Sequence, residues 1–287
     1  MGNYITTKIN QTAFPPVNGV VMVNENLLYR YLPPLGPCTD EIVILHSYGN
    51  METCEGNGFK HKIEAIMKRM KHVSFILYDY PTRADGTNEI AVNEKIVNVY
   101  EDFRKTKNSN NNNNSSNNNN SNNNNNSSNN NNSNNNNSSS NNKKKIYLFG
   151  RSIGCVPTCH LVNYLIQKNR INEIQGVILQ SPMCSAFSMF FPFCHDCLCF
   201  TPLPCLDQLN NLRIIQQNQT AWPRTMIICG NLDKLVSPLH SRHLFNFICE
   251  NNKKNILLTL TKKGHDDIQY DSNATDSPLN DIVLFVI

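Results

Sequence analysis

The sequence predicts an α/β fold in which a mostly parallel central sheet is flanked by helices. From residue 41 onward, short apolar runs alternate with amphipathic segments, which is the pattern of strands and crossover helices. Glycines and prolines cluster between these runs, as expected for turns. Residues 108–142 are almost entirely asparagine and serine and add nothing to a core, so the rest of the 287-residue chain amounts to about one domain.

The predicted elements cover most of the chain outside that tract. Residues 20–23 and 27–31 predict an antiparallel hairpin at the edge of the sheet. The predicted strands of the parallel sheet are residues 41–46, 73–78, 146–149, 177–179, 226–229 and 256–260. Apolar side chains recur at helical spacing in the predicted helices, which are residues 59–70, 88–103, 153–167 and 238–249.

The Asn/Ser tract at residues 108–142 lies between the predicted helix 88–103 and the predicted strand 146–149. It has no apolar groups to offset the entropy of ordering, and lengthening a surface loop costs little. We therefore expect a disordered, solvated spacer inserted in the domain. Self-association through polar β-stacking is the alternative.

Charge and cysteine content exclude several classes of protein. The net charge is +4, and the lysines and arginines are scattered, so nucleic acid is not an expected partner. The eleven cysteines are odd in number and no secretory signal precedes them, which favours reduced thiols in a cytosolic setting. No apolar stretch reaches the roughly 18 residues of a membrane-spanning helix.

The candidate nucleophile is Ser152, in the run GRSIG at residues 150–154. This run fits G-x-S-x-G directly after a predicted strand and before a predicted helix, where the pattern has chemical meaning. A serine hydroxyl is a weak nucleophile, so it must be exposed on a tight turn beside a base and near amide donors. The backbone N–H of Ile153, at the helix start, is the expected first oxyanion donor. A glycine-flanked turn serine in an unrelated α/β protein is the alternative.

The partners of such a serine follow it in the order acid then histidine, each in a loop after a later strand. Asp233 follows the run MIICG and His265 follows ILLTL, so they are the predicted acid and base. The alternative for Asp233 is a turn or helix-capping aspartate. His240 and His243 are rivals of His265 but fall on a predicted helix, where surface histidines are ordinary. Asp266 adjoins His265 and is poorly placed to orient its ring, because adjacent side chains diverge.

A second oxyanion donor is expected from the loop after the predicted strand 41–46, where residues 46–50 read HSYGN. The backbone N–H of Asn50 is the predicted donor, because the glycine before it lets the backbone turn inward.

Six segments resemble the α/β-hydrolase-domain depalmitoylases and their lipase-like and S33-peptidase-like relatives: HSYGN, LFGRSIGCVPT, LQSPMCSAFSMFFPF, CLDQLNNLRII, MIICGNLDKLVSPLHS and GHDDI. The resemblance runs from about residue 13 to residue 268, apart from the insert. It implies the α/β-hydrolase fold, with Ser152, Asp233 and His265 as a catalytic triad. It also implies an acyl thioester or ester as substrate.

The sequence departs from that family in three places. Tyr48 stands where the family usually has a second histidine before the glycine, so we expect different packing of the oxyanion loop. Residues 80–83 (YPTR) replace a small Gly/Ser-rich turn. Residues 271–278 predict a loop close to the chain end, so the closing helix of the family is expected to be missing or much shortened.

The start of the chain, MGNYIT, fits the pattern M-G-x-x-x-[ST] for N-myristoylation of Gly2. Residues 1–12 are therefore a predicted lipidation segment, followed by the hydrolase domain at residues 13–287. This predicts a location on the cytoplasmic face of a membrane. One myristoyl chain anchors a protein only weakly, so a second contact with the membrane surface is expected.

Residues 181–206 are rich in aromatic side chains and cysteines and are the predicted lid over the active site. We expect the phenylalanines to pack inward over the acyl pocket. Cys194, Cys197 and Cys199 are candidates for palmitoylation or for direct contact with the membrane. A zinc site here is the disfavoured alternative, because structural zinc sites draw on two separated pairs of ligands.

The combined prediction is a serine hydrolase that cleaves acyl thioester or ester bonds, and specifically a membrane-associated, depalmitoylase-like acyl thioesterase. Its expected partners are an acylated protein or lipid substrate and a membrane surface, and no metal or organic cofactor is required. One alternative is an esterase that resembles lysophospholipases or monoacylglycerol lipases. Another is a catalytically silent membrane-bound scaffold that associates through the Asn-rich insert.

Overall fold

The structure is a computed structural model. It describes residues 20–24, 27–37, 40–49, 57–78, 80, 89–113, 144–190, 209–251, 256–271, 273–274 and 276–287. The strands in this part of the chain are β1 (Val20–Asn24), β2 (Leu27–Leu32), β3 (Ile42–Ser47), β4 (Val73–Tyr78), β5 (Lys145–Arg151), β6 (Ile174–Gln180), β7 (Thr225–Gly230) and β8 (Ile256–Thr261).

These strands form a single sheet in the order β1-β2-β4-β3-β5-β6-β7-β8. β1 and β2 are an antiparallel hairpin, and β2 is antiparallel to β4. All pairs from β4 to β8 are parallel. Every residue of β3, β4 and β7 is buried, as is typical of a parallel sheet covered on both faces. The predicted mostly parallel sheet with an edge hairpin is confirmed.

The helices of the described residues are α1 (Asn57–Arg69), α2 (Glu89–Asn113), α3 (Cys155–Gln167), α4 (Ala186–Phe190), α5 (Asn211–Gln217), α6 (Pro238–Asn251) and α7 (Leu279–Val286). Apolar side chains of α2, α3, α5 and α6 fill the core on one face of the sheet. Those of α1 and α7 fill the core on the other face. In the described part of the chain, no helix combines the length and apolar character needed to cross a membrane.

Three helices differ from the sequence-based expectation: α4 (Ala186–Phe190) and α5 (Asn211–Gln217) are not among the predicted helices, and α2 runs into the predicted insert. α2 continues to Asn113, so residues 108–113 of the predicted insert are helical. Extending an existing helix adds a hydrogen bond per residue without a new nucleation cost, which allows weak helix formers to join its end. The insert beyond residue 113 lies outside the described residues until Lys144.

The closing helix, expected to be missing or much shortened, is the eight-residue α7, which follows residues 271–278. Its buried side chains are Leu279, Ile282, Phe285 and Val286. The hydroxyl of Tyr147 on β5 donates to the backbone oxygen of Val286 at 3.2 Å, and the Arg224 guanidinium lies 4.4 Å from the centre of the Phe285 ring. These contacts attach the short helix to the sheet.

Candidate active site

Ser152 lies on a sharp turn between β5 and α3. Residues Ser152–Gly154 form one turn of 3₁₀-helix, and the φ angle of Ser152 is 53°. Non-glycine residues adopt this left-handed conformation rarely, and such strain clusters at functional sites. Gly154 makes the turn possible, because a Cβ atom there would overlap the backbone oxygen of Ser47 at the end of β3. The strand-to-helix turn therefore presents the Ser152 hydroxyl above the carboxyl end of the sheet.

The structure brings the three predicted catalytic residues together. The Nε2 atom of His265 lies 3.1 Å from the Oγ atom of Ser152. The Nδ1 atom of the same ring lies 2.7 Å from the Oδ2 atom of Asp233. The Asp233 side chain is fully buried and the His265 side chain is 8% exposed. A hydroxyl, an imidazole and a carboxylate thus form a continuous hydrogen-bonded chain.

Asp233 and His265 come from two neighbouring loops. The acid loop (residues 231–237) connects β7 to α6, and the base loop (residues 262–270) follows β8. Because β7 and β8 are parallel neighbours, both loops leave the sheet at the same edge. The residues that follow these two strands therefore meet, although 32 positions separate Asp233 from His265 in the chain.

Backbone hydrogen bonds hold the start of the acid loop against the end of β8 and the start of the base loop. The N–H of Asn231 donates to the oxygen of Thr261 at 2.8 Å, and the N–H of Leu232 donates to the oxygen of Lys263 at 3.0 Å. Gly230 permits this close approach, because a Cβ atom there would overlap the backbone of Lys263. The separation of acid and base is therefore fixed by main-chain contacts as well as by their side chains.

Hydrogen bonds keep the Asp233 carboxylate ionised. Its Oδ1 atom accepts the backbone N–H groups of Leu235 at 2.9 Å and Val236 at 2.8 Å. Burial by itself raises the pKa of the Asp233 carboxyl, but the hydrogen bonds from His265 and Val236 outweigh it, and the pKa lies below its ordinary value of 3.8. The ionised carboxylate therefore stabilises the native state above that value, and this contribution is lost as the pH falls through the lowered pKa.

The loop that follows β3 packs against the nucleophile turn. The Tyr80 hydroxyl donates to the backbone oxygen of Tyr48 at 2.7 Å, and the two rings are 5.3 Å apart, centre to centre. The Tyr48 oxygen in turn lies against Gly154. The buried Tyr48 and the partly buried Tyr80 thus support this loop, with a tyrosine where the depalmitoylases that the sequence resembles usually have a histidine. Asn50, the predicted second oxyanion donor, lies outside the described residues. So do residues 81–83, in the turn where the sequence departs from the pattern of the resembling family.

A small apolar cluster, here called the apolar wall, borders the triad. It consists of the buried residues Val156, Met183 and Val236 with the partly buried Ile153, Met189 and Leu209. Ile153 directly follows Ser152, and Val236 binds Asp233 through its N–H. The sequence did not single out this wall, because its members come from separate segments and only their folding together makes them neighbours.

The remaining predicted site residues are placed as follows. His240 and His243 lie on α6, and Nδ1 of His240 accepts the N–H of Cys184 at 3.5 Å. Gly2, and also Cys194, Cys197 and Cys199 of the predicted lid, lie outside the described residues. The residues that the structure describes contain no cluster of three or more His, Cys, Asp or Glu side chains able to hold a metal ion.

Comparison with solved structures gives matches over almost the whole chain. An esterase of Pyrococcus furiosus is 12% identical with a TM-score of 0.58, over 99% of this chain and 96% of that one. An esterase of the fungus Rhizomucor miehei is 15% identical with a TM-score of 0.62, over 93% and 82%. An α/β-hydrolase enzyme from a lagoon-sediment metagenome is 10% identical with a TM-score of 0.52, over 92% and 95%.

Models of known protein families give no match to the sequence, and curated proteins give none either. Structural likeness at identities of 15% and below establishes the fold alone. The predicted fold class is therefore confirmed, whereas the reaction depends on the residues of the site.

Proposed function

The chain has the α/β-hydrolase fold, and from that premise we propose that it is a serine hydrolase acting on acyl esters or thioesters. The observation that carries the proposal is the hydrogen-bonded chain from Ser152 through His265 to Asp233. The esterase activity named for two of the structural neighbours supports the same class of reaction. A catalytically silent scaffold has no need of this aligned geometry.

The proposed reaction has two steps. In the first, His265 Nε2 accepts the proton of the Ser152 hydroxyl as Oγ attacks the acyl carbonyl, and the protonated ring then gives that proton to the leaving alcohol or thiol. In the second, His265 activates a water molecule that cleaves the acyl-serine bond and releases the acid. Asp233 keeps Nδ1 of His265 protonated, so that Nε2 faces the nucleophile as an acceptor.

Backbone amides are proposed to stabilise the oxyanion that forms in each step. The first N–H groups of a helical turn have no partner within that turn, which leaves the N–H of Ile153 for the substrate oxygen. The second donor that we propose is the N–H of Asn50, on the loop that Tyr80 and Tyr48 support. Each such donor typically accelerates acyl transfer by about 10²- to 10³-fold.

An apolar acyl group fits the surroundings of the triad. The apolar wall brings aliphatic and methionine side chains together beside Ile153, the residue that directly follows Ser152. Burying apolar surface provides about 25 cal/mol per Å², so a long acyl chain gains more from this wall than a short one. We therefore propose a long-chain acyl thioester or ester, with S-palmitoylated protein as the favoured substrate.

Three substrates distinguish the thioesterase from its lipase-like alternatives. We expect the highest kcat/KM for a palmitoyl-cysteine peptide, compared with a lysophospholipid and a monoacylglycerol at equal concentrations. The Ser152→Ala protein serves as the background for each substrate, because thioesters also hydrolyse spontaneously. A higher kcat/KM for either glycerolipid would assign the protein to the lipase-like alternative and refute the thioesterase proposal.

We also propose that myristoylated Gly2 places the enzyme at the cytoplasmic face of a membrane. N-myristoylation requires glycine at position two. Gly2→Ala should therefore prevent the modification and shift the protein largely to the soluble fraction. Asn3→Ala is the matched control, because position three is unrestricted in the motif. The measurement is membrane fractionation with myristate labelling, and full membrane retention of the Gly2→Ala protein would refute the proposal.

A single myristoyl chain binds membranes with a constant of only about 10⁴ M⁻¹, so the proposal requires a second contact. Cys194, Cys197 and Cys199 are the proposed source. Replacing all three with serine should reduce membrane retention and leave hydrolysis of a soluble ester unchanged, whereas Cys249→Ser on α6 should change neither. Unchanged retention in the triple variant would exclude the lid cysteines as the second contact.

A further inference from the structure

We propose that an ion pair between Arg151 and Asp266 is a clamp that positions the catalytic base against the nucleophile. The inference rests on the proposed function, because it assigns a positioning role within the same site. Arg151 directly precedes Ser152, and Asp266 directly follows His265. A contact between these two side chains therefore joins the nucleophile turn to the base loop across 115 positions of sequence.

The contact has the geometry of a charge-assisted hydrogen bond. The Nη2 atom of Arg151 lies 2.5 Å from Oδ1 of Asp266 and 3.5 Å from the backbone oxygen of His265 itself. The Arg151 side chain is only 4% exposed, whereas the Asp266 side chain is 79% exposed. The Arg151 guanidinium therefore contacts both the backbone oxygen of His265 and the carboxylate of the next residue, Asp266.

A second contact holds the other end of the same loop. The Tyr270 hydroxyl donates to Oε1 of Gln180 at 2.5 Å, and both side chains are buried. Gln180 lies opposite Arg151 in the register of β6 and β5. The base loop is therefore attached at two points, Asp266 and Tyr270, to the last residues of the neighbouring strands β5 and β6. His265 lies next to the first of these points.

Positioning, more than global stability, is the expected consequence of the ion pair. An ion pair with a largely exposed partner contributes little to the free energy of unfolding, because water competes for the carboxylate. Catalysis is more sensitive, since a misplacement of about 1 Å can cost about 10²-fold in rate. Loss of the clamp should therefore allow the 3.1 Å separation of His265 Nε2 and Ser152 Oγ to widen without unfolding the domain.

The test compares Asp266→Asn with two matched variants in the full-length protein. We expect Asp266→Asn to lower kcat for a soluble p-nitrophenyl ester about tenfold with KM nearly unchanged, because small displacements act on the reacting atoms. Asp266→Glu should recover much of the loss. Asp267→Asn removes the next carboxylate of the base loop and should leave kcat unchanged. Equal kcat in the Asp266→Asn and wild-type enzymes would overturn the proposal.

A double-mutant cycle separates the clamp from independent effects of the two residues. Because Arg151→Gln and Asp266→Asn break the same contact, the double variant should lose no more activity than the worse single variant. If the fold-loss of the double variant instead equalled the product of the two single fold-losses, the clamp would be contradicted. Melting temperatures of all variants are measured in parallel, and a loss of kcat that only follows a loss of folded protein would also contradict it.

Amide hydrogen exchange tests the clamp without turnover. Asp266→Asn should speed exchange in the base loop relative to Asp267→Asn, and unchanged exchange would overturn the proposal. Failure of the proposed function is recognised separately: a wild-type protein that neither hydrolyses esters nor reacts with a fluorophosphonate would refute the hydrolase, while the exchange result would still decide the clamp.

Discussion

Ser152→Ala should abolish ester turnover, with a loss in kcat of about 10⁶-fold for a nucleophile of this kind. The reason is chemical: alanine offers no atom to form the acyl-enzyme, and His265 Nε2, 3.1 Å from the hydroxyl, has no proton to accept. The methyl side chain of alanine fits wherever the serine fits, so the fold should be retained. The measurement is kcat for a soluble ester, with circular dichroism to confirm folding.

Ser237→Ala is the matched control for this variant. The Ser237 hydroxyl lies in the acid loop and accepts the N–H of Leu239 at the start of α6, so it is a hydroxyl near the site that the mechanism does not use. Its loss should leave turnover nearly unchanged. Residual turnover of Ser152→Ala at the level of the Ser237→Ala protein would contradict the assignment of the nucleophile.

Asp233→Asn should lower kcat by about 10⁴-fold while leaving the site geometry intact. Oδ2 of the carboxylate accepts the Nδ1 proton of His265 at 2.7 Å, which keeps Nε2 free to accept the proton of Ser152. An amide at this position can donate to Nδ1 and so stabilise the wrong tautomer. His265→Ala should be comparably damaging, because members of a triad act as a unit.

His240→Ala and His243→Ala are the controls for the base and the acid. Both histidines lie on α6, and neither is within the hydrogen-bonded chain that reaches Ser152. We expect them to keep most of the activity in the same ester assay. If either variant lost as much activity as His265→Ala, the base would be wrongly assigned, and an Asp233→Asn protein of wild-type rate would exclude the acid.

The parallel core of the fold could be predicted from sequence because its signals are local. Runs such as VSFILY at Val73–Tyr78 are almost entirely apolar, and they coincide with a strand that the structure contains. The order of Ser152, Asp233 and His265 was also informative. Each follows a strand of a parallel sheet, and the carboxyl ends of such strands share one edge.

The segments that escaped prediction lack such local signals. α7 contains the run DIVLFV, whose dense apolar residues do not separate a helix from a strand. The extension of α2 consists mainly of asparagine, a weak helix former, so composition argued against it. In both places the surrounding structure determines the conformation: the sheet buries α7, and the preceding turns nucleate the end of α2.

The contacts that support the site could not be predicted because they join distant positions. Tyr80 and Tyr48 meet only after β3 and β4 have paired, and the apolar wall assembles from separate loops and helices. Arg151 is the exception, because it carries a local signal. It is a charged residue at the end of a buried strand, and such a residue requires a partner in the folded protein.

The most direct test of the proposed chemistry is to identify the residue that a fluorophosphonate probe modifies. The folded wild-type protein is incubated with the probe, digested and analysed by peptide mass spectrometry. We expect one phosphonyl adduct, on Ser152 within the GRSIG peptide, with no adduct in the Ser152→Ala protein and much slower labelling in the Asp233→Asn protein. An adduct on a different residue, or no adduct on the folded wild-type protein, would contradict the assignment of this chain as a serine hydrolase.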